Sequence, residues 1–432
     1  MAWDFSTEPE FDTKLDWMRE FVREEIYPLE TLDLDPDQFA RITAPLKERV
    51  KEQGLWAAHL PPDLGGSGFG QVKLGLMHEI LGACRFAPGI FGNQAPDSGN
   101  AELLAIGGSP EQKEQWMHPL LRGEIRSSFS MTEPGAGADP TLLTTRAVLE
   151  GTGDGAEYVI NGHKWFSSNA GRADFLIVMA VTDPDVSPYQ GSSMIIVPVD
   201  TPGVTIVRDI PVMDHSSVTP QLEGGHAEIL YENVRVPRAN LVGNPGDGFR
   251  LAQQRLGPGR IHHAMRWLGQ SKRAFDMLCE RAVSRYSHGS VLADKQMVQD
   301  WVATSAAEMQ AARLLTLQAA WTMDRVGAAN ARNEIAMIKF WGARVLHDVI
   351  DRAIQVHGSL GFSGDLPLEQ MYRAARAARI YDGPDEVHKA TLARRILRGY
   401  EPHEVPSEHV PTRTAAAREK FAQYLELATA ND

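Results

Sequence analysis

The stretch FSMTEPGAGADP, residues 129–140, is where the chain changes texture. Before it, apolar residues recur at helical spacing; after it, they come in short β-prone runs. Upstream, FDTKLDWMREFVREEI (11–26) places Phe11, Leu15, Met18, Phe21, Val22 and Ile26 on one helical stripe. LPPDLGGSGFG (60–70) is rich in Pro and Gly and predicts a loop between helices. Downstream, AEYVING, FLIVMAV, SSMIIVPV, GVTIVRDI and AEILYENVRVP are separated by Gly, Pro, Asp and Asn. That spacing predicts an antiparallel barrel or sandwich. Within it, Asn161-Gly162 is a strong hairpin-turn signal.

Helical spacing returns from about 248 to 398, in long segments rich in Ala, Leu and Met, as bundle helices often are. The expected divisions are a helical part over 1–128, a β part over 129–243, a helical bundle over 244–400 and an appendage over 401–432. In the appendage, EPHEVPSEHVPT reads as extended and TAAAREKFAQYLELATA as one terminal helix. The fold class is α+β.

The length of 432 residues suggests roughly three domains. A hydrophobic fraction of 43% supplies a sizeable core and excludes wholesale disorder. Forty-three Lys and Arg against 56 Asp and Glu give a net charge of −13, which argues against a general nucleic-acid or membrane-surface binder. Two cysteines, Cys84 and Cys279, make no disulfide framework, so a reducing, cytoplasmic setting is expected. MAWDFSTEPE is acidic and resembles neither a secretory signal nor a transit peptide. No apolar run is long enough to span a bilayer.

Walker, HExxH, CxxC and GxSxG motifs are missing, and no metal site is expected. His262 and His263 point in different directions on a helix and read as surface or packing residues. Four segments offer chemistry. FSMTEPGAGADP presents the Thr132 hydroxyl and glycines that allow close backbone approach to a ligand, or is a plain turn. YVINGHKWFSSNAG (158–171) puts aromatic faces beside two hydroxyls, where a planar cofactor could lie, or holds ordinary strand residues. LGPGR (256–260) reads as a helix start with an arginine able to meet a carbonyl or phosphate. In ARIYDGPDEVHKATLARR (378–395), Asp382 precedes a Gly-Pro turn and is either a cap or a working carboxylate.

In this order and texture the four segments resemble the acyl-CoA dehydrogenase family over about residues 8–398. NQAPDSGN (93–100), RLGPGRIHHAMR (255–266), EIAMIK (334–339) and DGPDEVH (382–388) are similar to a subgroup often fused to an aminoglycoside-phosphotransferase-like kinase domain. No such kinase domain is read in this chain, so a separate kinase acting upstream is expected as a partner. The resemblance implies a helical domain, a middle β domain and a C-terminal four-helix bundle. It also implies FAD, an acyl-CoA substrate, a homotetramer or homodimer, and an electron-transfer flavoprotein as acceptor.

By position, the resemblance places Phe129, Met131 and Thr132 along the isoalloxazine, with Phe166 and Ser168 covering its other side. Arg285, His288 and Gln296 would serve the FAD of a neighbouring subunit, as would Gln355 and Ser359 in the GSLG turn. Pro384 and Glu386 fall near the flavin, and Ala138, Arg260, Tyr381 and Gly383 at acyl-CoA positions.

Asp382 falls where many members carry the catalytic Glu, and the other family position for that Glu is occupied here by Gly259. The implied reaction needs a carboxylate to remove the α-proton while the β-hydrogen leaves as hydride to flavin N5. An apolar closed site is expected to raise the Asp382 pKa. Asp is shorter than Glu by one methylene, roughly 1.5 Å. Further departures are Ala138 for a common Ser, Phe166 for Trp, His288 for Phe, Ser359 for Gly and Pro384 for Thr.

The subgroup further implies a 4-phosphoacyl-CoA substrate from which phosphate is lost. The polar Asn93, Gln94, Asp97 and Asn100 either serve that substrate or cap a helix. The alternatives are a nitroalkane-oxidase-like flavin oxidase of another carbon acid and a flavin-free binding module.

Overall fold

The computed structural model describes residues 3–64, 66–213, 225–402 and 414–426. The chain divides into two compact units, Met1–Lys389 and Ala390–Asp432.

The first unit opens with helix Pro9–Phe21, which continues as a π turn over Val22–Ile26. Proline starts it without losing a bond, because the first-turn N–H groups have no partner within a helix. All six residues of the expected stripe are buried. They pack against Leu74, Met77 and Leu81 of helix Gln71–Leu81 and against Phe86 and Phe91. The 60–70 stretch is a loop with one 3-10 turn, Pro62–Leu64.

Eight strands form one sheet among the described residues: β1 Ser127–Ser130, β2 Arg146–Glu150, β3 Glu157–Ser168, β4 Phe175–Val181, β5 Ser192–Pro198, β6 Val204–Asp209, β7 His226–Pro237 and β8 Leu241–Val242. The order is β6-β7-β3-β2-β4-β5-β8, with β1 also on β4. The sheet is not purely antiparallel as expected, because β1 and β2 each pair with β4 in parallel. After β1 the Glu133 carboxylate accepts from the Thr144 N–H and hydroxyl and from the Thr145 N–H, fastening the loop that leads to β2.

The unbroken apolar run of β4 is explained by burial on both faces. Phe175, Ile177 and Met179 meet Leu103, Leu104 and Leu251 from helices, while Leu176, Val178 and Ala180 share a second core with Ile160, Ile195 and Ile229.

Asn161-Gly162 does not turn the chain. Strand β3 runs straight through it, with a register shift against β7 between Ile160 and Gly162. Asn161 instead exchanges bonds with Asn233 across the bulge. A Cβ on Gly162 would stand 2.2 Å from the Thr145 hydroxyl, so glycine is there for close approach.

The C-terminal helical part consists of helices Gly248–Ser284, Gln296–Val326, Arg332–His357 and Leu368–Ala377. They share a core that includes Trp267, Leu268, Leu317, Leu346, Val349 and Leu368. LGPGR is not a helix start: the first helix spans 37 residues and carries Pro258 inside it. The apolar spacing that begins at Phe249 and continues past Arg260 overrides the proline, so no helix terminus is offered to an anion there. In the second unit are the end of helix Asp385–Leu397 and short helices Thr414–Lys420 and Ala422–Glu426. Most of the proline-rich stretch expected to be extended lies outside the described residues. Among those described, no helix is long and apolar enough to cross a membrane.

Candidate active site

Asp382 sits in the turn between helices Leu368–Ala377 and Asp385–Leu397, with a left-handed φ of +55°. A non-glycine residue pays about 1–2 kcal/mol for that conformation, so neighbouring groups must impose it. Arg260 donates from Nε and Nη2 to the Asp382 carbonyl oxygen at 3.2 and 3.1 Å. His388 Nε2 lies 3.1 Å from the same oxygen. Gly383 follows at φ +96°, and a Cβ there would stand 2.8 Å from His388 Nε2.

The Asp382 side chain faces a cationic ring. Its Oδ2 is 3.3 Å from His263 Nε2, and its carboxylate is about one-fifth exposed. Burial alone would raise the carboxyl, but the adjacent His263 imidazole and the charges of Arg260, Arg255 and Lys339 outweigh it and hold the group below its ordinary value. This reverses the expectation of a raised Asp382, which counted desolvation and not the cations. Burial lowers His263 to about 3, helped by Arg266, so its imidazole is neutral at pH 7. Lys339 is fully buried, donates to the Ala378 carbonyl at 2.6 Å and is pushed down to about 8 by burial. Tyr381 is tied to this ring by the Trp267 Nε1–H, 2.9 Å from its hydroxyl.

Arg255 links Asp382 to the β domain. Its guanidinium lies 4.1 Å over the Phe129 ring, and its Nε is 3.2 Å from Asn100 Oδ1. Asn100 also donates to Ser127, and Asp97 accepts from the Ser127 N–H and hydroxyl. Asn100 and Asp97 therefore fasten the start of β1 rather than cap a helix. Gln94 accepts from Arg266, and the Asn93 Oδ1 accepts from His59 Nδ1–H at 3.2 Å.

A second group assembles at the end of β1. Met131 and Thr132 leave the strand; the Trp165 N–H donates to the Thr132 carbonyl at 3.0 Å. Lys164, buried, donates to the Met131 carbonyl and to Glu133. Phe166 occupies a second bulge of β3 with φ +50°, is 40% exposed and rests against the His226 ring. Ser168 shares a 2.8 Å bond with His226. Ala138 is exposed beyond this wall.

The remaining candidates lie apart from these two groups. Arg285 ends the first long helix, and His288-Gly289, both at positive φ, turn a two-stranded hairpin between β9 Tyr286–Ser287 and β10 Ser290–Val291. Gln296 begins the next helix, on which Trp301 shares a cleft with Gln355. Ser359 follows Gly358 at the end of helix Arg332–His357. Pro384 and Glu386, by contrast, adjoin the Asp382 turn: Pro384 precedes helix Asp385–Leu397 and accepts from the His388 N–H, and Glu386 lies in its first turn.

Three family models cover the chain in series: acyl-CoA dehydrogenase N-terminal domain over 9–124, middle domain over 128–222 and C-terminal domain over 246–397. The chain belongs to the acyl-CoA dehydrogenase family.

It is 45% identical over 395 residues to "Probable acyl-CoA dehydrogenase FadE2" of Mycobacterium tuberculosis, covering 88% of this chain and 93% of that protein. It is 44% identical to the rat acyl-CoA dehydrogenase family member 11 over 82% of this chain, but spans only 44% of that protein's length. The solved butyryl-CoA dehydrogenase of Megasphaera elsdenii superposes with a TM-score of 0.77 at 26% identity, covering 92% of this chain and all of that one. As an acyl-CoA dehydrogenase the chain is an FAD-dependent enzyme, with the helical, sheet and helical domains of that fold.

The residues at the end of β1 fit the flavin. A flat tricyclic ring needs an exposed apolar face and polar groups at its edge, and Phe166 supplies the first beside Thr132 and Ser168. Sequence reading missed Arg255, His263, Arg266 and Lys339. Their signal is weak, because a basic residue on an apolar helix face is ordinarily a solvated or snorkelling side chain. His262 is buried against His78, with ring centroids 4.3 Å apart, so packing describes it well, whereas His263 stands against the Asp382 carboxylate. Among the described residues, no group of three His, Cys, Asp or Glu is placed to hold a metal ion.

Proposed function

We propose that Asp382 removes the α-proton of an acyl-CoA thioester. FAD, when bound, accepts the β-hydrogen as hydride. The observation that carries this reading is the clamped turn: Arg260 and His388 hold the Asp382 backbone while cations keep its side chain ionised. A base must be unprotonated before it acts, and a carboxyl held low is ready over the whole neutral range. Phe129, Met131, Thr132, Phe166 and Ser168 receive the flavin ring, with Pro384 and Glu386 near it. Arg285, His288, Gln296, Gln355 and Ser359 receive the FAD of a neighbouring subunit in a homodimer or homotetramer. Ala138, Arg260, Tyr381 and Gly383 meet the acyl-CoA.

The substrate class we infer is a 4-phosphoacyl-CoA, made by a separate kinase and losing phosphate here, with an electron-transfer flavoprotein taking the flavin's electrons. Supporting it is the gathering of cations around Asp382: the buried Arg255 and Lys339 and the half-buried Arg266, with Asp385 a second carboxylate near Lys339. The nearby Glu102, raised to about 8 by burial, adds little negative charge at pH 7. Such a surplus favours a further anion.

The deciding experiment mixes the FAD-loaded enzyme anaerobically with plain acyl-CoA, 4-phosphoacyl-CoA or a nitroalkane. Flavin bleaching by a CoA ester, with phosphate release from the 4-phospho compound, supports the reading. Bleaching by acyl-CoA without phosphate release removes the finer claim. Bleaching by nitroalkane alone removes both.

A further inference from the structure

We propose that His263 is a positioning residue for the base: its Nε2–H orients the Asp382 carboxylate, and Arg266, braced on Gln94, fixes the imidazole tautomer that puts the hydrogen there. This rests on the reading of Asp382 as the base.

The tautomer follows from donor chemistry. Arg266 Nη2 lies 3.1 Å from His263 Nδ1. A guanidinium has no acceptor, so Nδ1 must offer its lone pair. The neutral ring then carries its hydrogen on Nε2, which stands 3.3 Å from Asp382 Oδ2. The other arm of Arg266 donates to Gln94 Oε1 at 2.9 Å, which sets the guanidinium plane. The imidazole itself is packed at 5.0 Å from the Tyr381 ring and 6.2 Å from that of Trp267. The result is a chain of four side chains, Gln94–Arg266–His263–Asp382, running from the 93–100 segment to the base.

An aspartate needs such help more than a glutamate would. With one methylene fewer it reaches less far, so its carboxylate must be aimed rather than extended. Long contacts at a resting base tighten when substrate arrives, which suits the 3.3 Å separation. The other groups facing Asp382 are Arg260, Arg255 and Lys339, which supply charge, and His388, which binds its carbonyl. Among the contacts described, the ring nitrogen placed against Oδ2 is that of His263, at 3.3 Å.

The test compares His263→Leu, His263→Gln, Arg266→Met and Asp382→Asn by FAD content and by the rate of anaerobic flavin bleaching by acyl-CoA across pH. His263→Leu is expected to keep FAD, slow bleaching by roughly 10- to 100-fold and move the acid limb of the profile to higher pH, because the carboxylate loses a donor. His263→Gln, whose amide N–H reaches the same oxygen, restores most of the rate. Arg266→Met falls between, since the imidazole can then adopt either tautomer. A His263→Leu enzyme with wild-type rate and profile, beside an inactive Asp382→Asn, overturns the positioning role and leaves the base intact. An active Asp382→Asn removes the base reading itself. If His263→Leu loses FAD, the Gln variant decides: folded with FAD yet no faster than Arg266→Met, it overturns the proposal.

Discussion

The guanidinium of Arg260 binds the backbone carbonyl of Asp382 through two donors, Nε at 3.2 Å and Nη2 at 3.1 Å. A side chain from the middle of the first long helix thereby dictates the backbone of a turn 122 residues later. The consequence is local: without those donors the left-handed φ of +55° at Asp382 has less to hold it.

Arg260→Ala is therefore expected to lose roughly 10- to 100-fold in flavin-bleaching rate, the equivalent of one charge-assisted bond at about 1.5–3 kcal/mol. FAD content should stay near wild type, since Phe129, Met131, Thr132, Phe166 and Ser168 lie on β1, β3 and the loop between them, away from this turn. A variant that bleaches at the wild-type rate would show that His388 alone is enough to hold the turn.

Gly383→Ala tests the same turn from its other side. A Cβ there meets His388 Nε2 at 2.8 Å, and the φ of +96° is hostile to any side chain. The expected outcome is a lower melting temperature together with slower bleaching. An alanine variant with unchanged melting and rate would mean that the turn relaxes without moving the carboxylate.

Asp382→Asn keeps the shape and removes the base. It should bind FAD normally and fail to bleach it with acyl-CoA, as stopped-flow absorbance would show. Turnover near wild type would reassign the base.

The extent to which this architecture is legible in the sequence depends on the range of the interactions involved. Helix Pro9–Phe21 was readable because its stripe is a local, 3.6-residue pattern. The parallel β1–β4 pairing was not, because it joins strands separated in the chain by β2 and β3 and so leaves no local pattern. Asn161-Gly162 misled for a related reason: the turn pair is used as a bulge against Asn233, a residue 72 positions away. His288-Gly289 turns a real hairpin with a residue pair that carries little turn signal. Asp382 was found by resemblance, while the cations around it come from other helices and meet it only in three dimensions.

The Glu133–Lys164 pair predicts a pH dependence of stability. Burial raises the Glu133 carboxyl, but the Lys164 charge and the bonds from Thr144, Thr145 and Lys164 bring it down to about 2 from 4.5. The unfolded chain thus binds the proton first as pH falls. Stability from this group is complete above pH 4.5 and is lost as pH drops towards 2. Thermal melts of wild type and Glu133→Gln should differ most near neutrality and converge through that window. A constant difference from pH 7 to pH 3 would mean the effect is one of packing, not ionisation.

Arg285 offers the sharpest separation between a residue that serves FAD and one that only ends a helix. Its backbone N–H closes the first long helix on Arg281, and its carbonyl accepts from Leu292, so both main-chain roles survive truncation of the side chain. The side chain itself is exposed, beside the hairpin carrying His288. If the guanidinium reaches the FAD of a neighbouring subunit, Arg285→Ala should leave the melting of the flavin-free chain unchanged. It should also release FAD on dialysis and shift the oligomer towards smaller species by light scattering. Because a guanidinium–phosphate contact is charge-assisted, raising the salt concentration should reproduce part of the loss in the wild type and none further in the variant. Flavin retained at the wild-type level by Arg285→Ala, with the same salt response, would leave the residue as a helix end and nothing more.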